Sequence, residues 1–183
     1  MTQGSRKRLV VDANIAHSAG SSEVPESRYS RSCLDAILAC GHIAVFSSAL
    51  REEWKQHAAL HAKRWWKSMT ARRRIDFAEG EEFAPHLERA CAFLEHDRWK
   101  DALRKDFHLV QSALATGQLI LSNEKELPQF VALACNGVKE LLLLHYGSPA
   151  VEGYACISWI KAGAEKTSDR RIDKWAEGHL DDT

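Results

Sequence analysis

The sequence predicts an α/β protein built on a mainly parallel sheet with helices on its faces. Three observations predict it. Four short β-like runs alternate with helical stretches along the chain, the pattern of a parallel sheet wrapped by crossover helices. The first run, Leu9–Val11, is wholly apolar, as a strand buried on both faces should be. The length of 183 residues, with no internal repeat or low-complexity segment, fits one domain with a sizeable core.

Each element has a local reason. After Leu9–Val11 comes a Gly/Ser/Pro-containing loop over residues 18–27. A helix then carries Leu34, Ile37 and Leu38 on one stripe and stops at Gly41. The second strand is Ile43–Phe46, and Ser47 and Ser48 suit the N-cap of a helix running from about residue 49 into the 60s. Residues 70–104 read as less regular helix punctuated by Gly80 and Pro85. A strongly apolar helix opens at Asp106, carries Leu109, Val110, Ala113 and Leu114, and ends at Gly117. The third strand is Leu119–Leu121. Pro128 suits the first turn of the next helix, which ends near Gly137, and the fourth strand is Leu141–Leu144. In the tail, Trp159 and Trp175 predict docking on the body, and Asp181–Thr183 are expected to fray. No linker divides the chain, so residues 1–183 are expected to form one unit, with a core over 8–145 and a C-terminal extension over 146–183 packed on it.

Lys+Arg and Asp+Glu are equal at 25 each, so net charge selects no partner class. The distribution is uneven. Residues 51–74 hold eight Lys/Arg against Glu52 and Glu53, whereas 76–88 hold five acids and no Lys or Arg. The five cysteines are widely spaced and lack zinc-finger spacing, which predicts reduced, mostly buried thiols in a cytoplasmic protein. The first eight residues carry charge without an apolar stretch, against a signal peptide, and no run reaches membrane-span length.

The candidate site lies in four acids. Asp12 ends the first apolar run, Glu53 follows the second by one helical turn, Asp106 opens the apolar helix, and Glu124 follows the third run. In open α/β sheets, ligands bind beyond the carboxyl ends of the strands, where all four would meet. Two unit charges 4 Å apart repel by about 4 kcal/mol at an effective dielectric near 20, so such a pocket takes up protons or cations. Oxygen donors alone select Mg²⁺ or Mn²⁺ over zinc. A metal there lowers the pKa of a coordinated water and stabilises a leaving oxygen, the chemistry of phosphodiester cleavage. Asn14, Ser122 and Asn123 are placed to orient the carboxylates by hydrogen bonds.

The segments Val-Val-Asp-Ala-Asn (10–14), Ser-Ser-Ala-Leu-Arg-Glu-Glu-Trp (47–54), Asp-Phe-His-Leu-Val (106–110) and Ile-Leu-Ser-Asn-Glu-Lys-Glu-Leu (120–127) resemble, as an ordered set, the PIN-domain nucleases. The likeness is greatest to the single-domain ribonuclease toxins among them. The resemblance implies a three-layer α/β/α fold and a Mg²⁺- or Mn²⁺-dependent endonuclease acting on single-stranded RNA. It assigns the metal-binding acids to Asp12, Glu53 (with Glu52 as rival) and Asp106. Glu124 stands where the family usually has Asp, and Glu126 is its less favoured substitute. The toxin-like reading further implies a protein antitoxin and a homodimer.

Lys63, Arg64, Lys67, Arg72 and Arg73, interleaved with Trp65 and Trp66, suit single-stranded nucleic acid through phosphate contacts and base stacking. Packing of either Trp in the core is the equal alternative. Glu53, His57 and His61 share one helical face, but Gln56 and Ala58 flank His57, so the zincin motif is absent; a metal role is the lesser reading, and the histidines are expected on a polar face running away from the site, within reach of substrate phosphates. His108 reads as a surface or core histidine with an acid–base role as the minority option, and Lys166–Lys174 as a solvated face or partner surface. Two other functions compete: an RNA- or protein-binding module with a weakened site, and phosphoryl transfer through Asp12. The latter is disfavoured because Asn14 stands two residues on and no phosphate-cradling glycine loop follows.

Overall fold

The computed structural model describes residues 6–179. The expectations for the first five residues and for Asp181–Thr183 lie outside them. Five parallel strands form the centre: β1 (Arg8–Val11), β2 (Ile43–Phe46), β3 (Ile75–Phe77), β4 (Leu119–Leu121) and β5 (His145–Gly147). Their order is β3-β2-β1-β4-β5, and the register pairs Val10 with Val45 on one side and with Ile120 on the other. The chain steps outward from β1 to β3, crosses back, and steps outward again through β4 and β5. Since parallel crossovers are right-handed, that reversal sends the connecting helices to opposite faces.

The first half supplies α1 (Ala13–Ser18), α2 (Pro25–Cys40), α3 (Ser48–His57) and α4 (Leu60–Ala71). The second supplies α5 (Pro85–Cys91), α6 (Asp97–Leu114) and α7 (Glu126–Ala134). Pro25 opens α2, and Gly41 closes it in the left-handed conformation at φ 79°. On α6, Leu103, Phe107, Val110 and Leu114 form the buried stripe. The result is an α/β protein consistent with the three-layer sandwich expected. A continuous buried core runs from Leu9 to Trp175. It includes β1 residues Leu9, Val10 and Val11 and all of β4.

The tail packs against helices of both layers. Helices α8 (Pro149–Glu152) and α9 (Tyr154–Lys161) pack on α2, while α10 (Ile172–His179) packs on α7. Trp175 is fully buried against Tyr146, with ring centroids 4.6 Å apart. The solvated reading of Lys166–Lys174 needs correction at Arg170, which is buried, paired with Glu152 and stacked over Trp159 at 4.6 Å. The cysteines are free, and four of the five are buried. No described helix is long and apolar enough to cross a membrane.

Five elements differ from the sequence reading. Residues 75–77 form β3 rather than helix; it is a three-residue edge strand whose central Asp76 pairs with Arg8 at 3.0 Å, so its apolar signal is short and interrupted. The run Leu141–Leu144 is no strand: a 3₁₀ turn spans Lys139–Leu143 and β5 begins at His145. Leu141 and Leu144 are buried while Leu143 is exposed, the three-residue period of a 3₁₀ turn. The helix after β2 breaks at Ala58 and Ala59 into α3 and α4. The short helix α1 replaces a direct passage from β1 to the loop. Asp106 lies in the second half of α6 rather than at a helix start, because the helix begins nine residues earlier at Asp97.

Candidate functional site

Strands β1 and β4 lie side by side although their connections run to opposite faces, so the sheet has its topological switch point there. Asp12 and Ser122 follow directly on these strands, and the Asp12 backbone N–H donates to the Leu121 carbonyl at 2.9 Å. A cleft of about 320 Å³ opens above them. Asp12, Glu53, Asp106 and Glu124 all line it, together with Asn14 and Lys105. Four acids up to 112 residues apart in the chain (Asp12 to Glu124) therefore share one cavity.

Asp12 is the fixed member. It is 8% exposed and caps α1 by accepting from the Asn14 N–H at 3.4 Å. Its other oxygen accepts from the Ser122 hydroxyl at 2.6 Å. The Asn14 amide donates to Ser122 Oγ at 3.0 Å and accepts from the Asn123 N–H at 3.0 Å. Asn123 in turn bonds Ser30 and the Ala150 N–H. The three supporting residues read from the sequence thus form one network across β1 and β4. Its attachment differs from the expectation: Ser122 holds Asp12, and the Asn14 side chain holds Ser122 and Asn123 rather than a carboxylate.

Glu53 is set by its neighbour. Trp54 is buried and donates from its indole N–H to the Val11 carbonyl at 2.8 Å, anchoring α3 over the end of β1. Glu53 then faces the cleft, while Glu52 pairs with Lys55 on the outer side. His108, on α6, places Nε2 3.8 Å from Glu53 Oε2, and its Nδ1 donates to the Lys105 carbonyl at 3.1 Å. The Nε2 atom is buried without a hydrogen-bond partner among the described residues. Glu124 is partly committed elsewhere. Its Oε1 accepts from the Lys125 and Glu126 N–H groups at 2.9 and 3.2 Å, at the start of α7. Glu126 points outward toward Arg98 and does not line the cleft.

The electrostatics follow from burial. Desolvation pushes the Asp12 carboxyl above the usual carboxylate range; the Ser122 and Asn14 donors pull it back, and Glu53 pushes it further up. Desolvation raises Asp106 to about 6, with Lys105 opposing and the charges of Asp12 and Glu124 adding. Among the described residues, no three His, Cys, Asp or Glu side chains converge closely enough to hold a metal ion together. The donors fit a hard cation in chemistry and share a cavity, but they do not close on a common point.

The sequence reading does not include Lys105 or His17, both of which line the cavity, and His57, expected on a face running away from the site, lines it as well. The signals were present: His57 is one helical turn beyond Glu53, and Lys105 adjoins Asp106. His61 is not continuous with that face; it sits on α4 and bonds Asp35 at 3.0 Å. The basic-aromatic arm divides. Trp65 is buried in the core, whereas Lys63, Arg64, Trp66 and Lys67 line a separate cleft. Arg72 and Arg73 follow α4 into β3, and the adjoining Arg74 carbonyl accepts from Ala44 at the start of β2. They therefore stand at the opposite end of the sheet from the carboxylates.

Comparison of the chain with protein-family models, curated proteins and solved structures gives no match.

Proposed function

We propose that this protein is a Mg²⁺- or Mn²⁺-dependent endoribonuclease that hydrolyses phosphodiester bonds of single-stranded RNA. One observation carries the reading: carboxylates from four separate elements line a single cavity at the switch point of a parallel sheet. Two of them are raised by burial, so the cavity gains by exchanging protons for a divalent cation. The ordered motifs that resemble the PIN-domain nucleases support the same reading, and a protein antitoxin and a homodimer belong to it as further proposals.

In this reading Asp12, Glu53 and Asp106, which line one cavity without closing on a common point, would be drawn together on the ion, with Glu124 assisting. A bound ion supplies Lewis-acid polarisation of the phosphate and a more acidic water. The protein does the positioning. Ser122 and Asn14 keep Asp12 in one orientation, so little reorganisation is left for the bound state. Glu53, on the helix anchored through Trp54, accepts no side-chain hydrogen bond among the described residues, which would leave its carboxylate available to the ion. Lys105 at the cavity wall meets an incoming phosphate.

The test is cleavage of single-stranded RNA by the purified protein with Mn²⁺ or Mg²⁺, lost in both Asp12→Asn and Asp106→Asn; unchanged activity in the two variants refutes it. A second reading, a catalytically weakened RNA- or protein-binding module, is favoured by the engagement of Glu124 in capping α7. RNA binding without Mn²⁺ binding near millimolar metal would decide for the module.

A further inference from the structure

A second cleft, about 530 Å³ in volume, lies between α3 and α4. Trp54, Ala58 and Trp66 form its apolar floor. Its rim carries Arg51 and Lys55 from α3 and Lys63, Arg64 and Lys67 from α4. Among the described residues, Arg51, Lys63, Arg64 and Lys67 have no carboxylate within 4.0 Å, and only Lys55 is paired, with Glu52. Like charges gathered round an apolar floor repel each other until an anion arrives.

The floor is fixed in place. Trp66 packs on Phe46 and Trp54, with ring centroids 4.5 and 5.7 Å apart, yet keeps part of its surface exposed. The walls are two helices, whose mid-helix peptide groups are bonded internally. Side-chain cations, indole π surface and the exposed aliphatic side chain of Leu60 are the recognition elements on offer. An extended peptide buried there would leave its own N–H and C=O groups unpartnered. A nucleotide needs only what the cleft has: cations for phosphate and a flat apolar surface for the base.

We infer that this cleft is a nucleotide-binding subsite, in which one unstacked base of a single-stranded RNA lies against Trp66 while flanking phosphates meet the rim cations. The choice of RNA rests on the nuclease reading; the binding itself does not. Glu53 and the pair Arg51 and Lys55 stand two residues apart on α3 and so face opposite sides of the helix. A strand held in the basic cleft therefore lies about one helix diameter, ~10 Å, from the carboxylates. The subsite would fix which phosphate reaches them.

The test measures binding of a fluorescein-labelled 12-nucleotide oligouridylate by anisotropy in EDTA, where cleavage is suppressed. The full-length protein is expected to bind, and Lys63→Glu/Lys67→Glu to lower the slope of log affinity against log salt concentration by about 1.4, two phosphates at ~0.7 each. Trp66→Ala is expected to weaken binding roughly tenfold. Arg72→Ala/Arg73→Ala, at the far end of the sheet, should leave it unchanged. Trp66 packs against the core, so the exposed lysine pair, checked by circular dichroism, decides if the Trp66 variant unfolds. Absence of binding by the native protein overturns the inference, as does equal weakening by the Arg72/Arg73 variant or preferential binding of a polyglutamate peptide of matched charge. Cleavage with Mn²⁺ that survives loss of this binding removes the subsite and leaves the nuclease. Binding that persists without any cleavage does the reverse.

Discussion

Two clefts flank α3, and they are built in opposite ways. The carboxylate cleft is made at strand ends, where Asp12 is locked by Ser122 and Asn14 and its acidic neighbours line a smaller cavity of about 320 Å³. The cationic cleft is made from long side chains on two helices, exposed at their ends and supported by an aromatic floor. Position in the fold explains the difference. Burial beyond the strand ends, of Asp12 on β1 and of Asp106 on the helix packed above, is what shifts their protonation. Helix faces present Lys and Arg whose stems cover apolar surface while the charges stay in water. The first arrangement suits chemistry on a fixed point; the second suits tolerant grip on a flexible polymer.

The sharpest way to break the comparison is in the carboxylate cleft. Asp12→Asn should reduce Mn²⁺-dependent cleavage roughly 10²–10³-fold while the anisotropy affinity for RNA in EDTA stays near that of the native protein. Next comes the shared wall. Trp54→Ala should cost about 3–5 kcal/mol of stability by denaturant unfolding, since it empties a core site, frees the Val11 carbonyl and loosens both clefts at once. Ser122→Ala removes the hydroxyl that orients Asp12 and should weaken Mn²⁺ binding roughly 10–100-fold in calorimetry.

The smallest effect separates function from stability. Asp106 titrates near 6 when folded, against 3.8 for the free side chain. Between those values the unfolded chain has released a proton that the folded chain keeps, so in EDTA stability falls as pH rises from about 4 to about 6 and stays lower above. After a discount for partial exposure, the loss is about 1–2 kcal/mol. Asp106→Asn should therefore be more stable than the native protein at pH 7 without metal, by about that amount, and should lose this pH dependence. A less stable variant would show that Asp106 is not strained by burial.

The same contrast explains what could be read in the chain. The strands with uninterrupted apolar runs, β1, β2 and β4, and the acids that follow them were legible because burial on both faces leaves a plain signal. The edge strand β3 was not, since exposure lets Asp76 interrupt it. The leucine run at 141–144 was misleading because apolarity without alternation does not distinguish a strand from a 3₁₀ turn. Asp106 is brought to the same cavity as the other acids but lies mid-helix rather than at a helix start, because the first turns of its helix (97–105) are mostly polar. Its cavity neighbour Lys105 carries no motif of its own that would mark it. The basic arm was visible as composition. Its division depends on tertiary packing, which turns Trp65 into the core and leaves Arg72 and Arg73 at the end of the sheet away from the carboxylates.

The central claim is that the carboxylate cleft holds a divalent cation. Anomalous diffraction from crystals soaked in Mn²⁺ tests it most directly. The account predicts a manganese peak in contact with Asp12 and Asp106, absent from Asp12→Asn crystals. A cleft without manganese at millimolar soak, or a peak unaffected by the substitution, would contradict it.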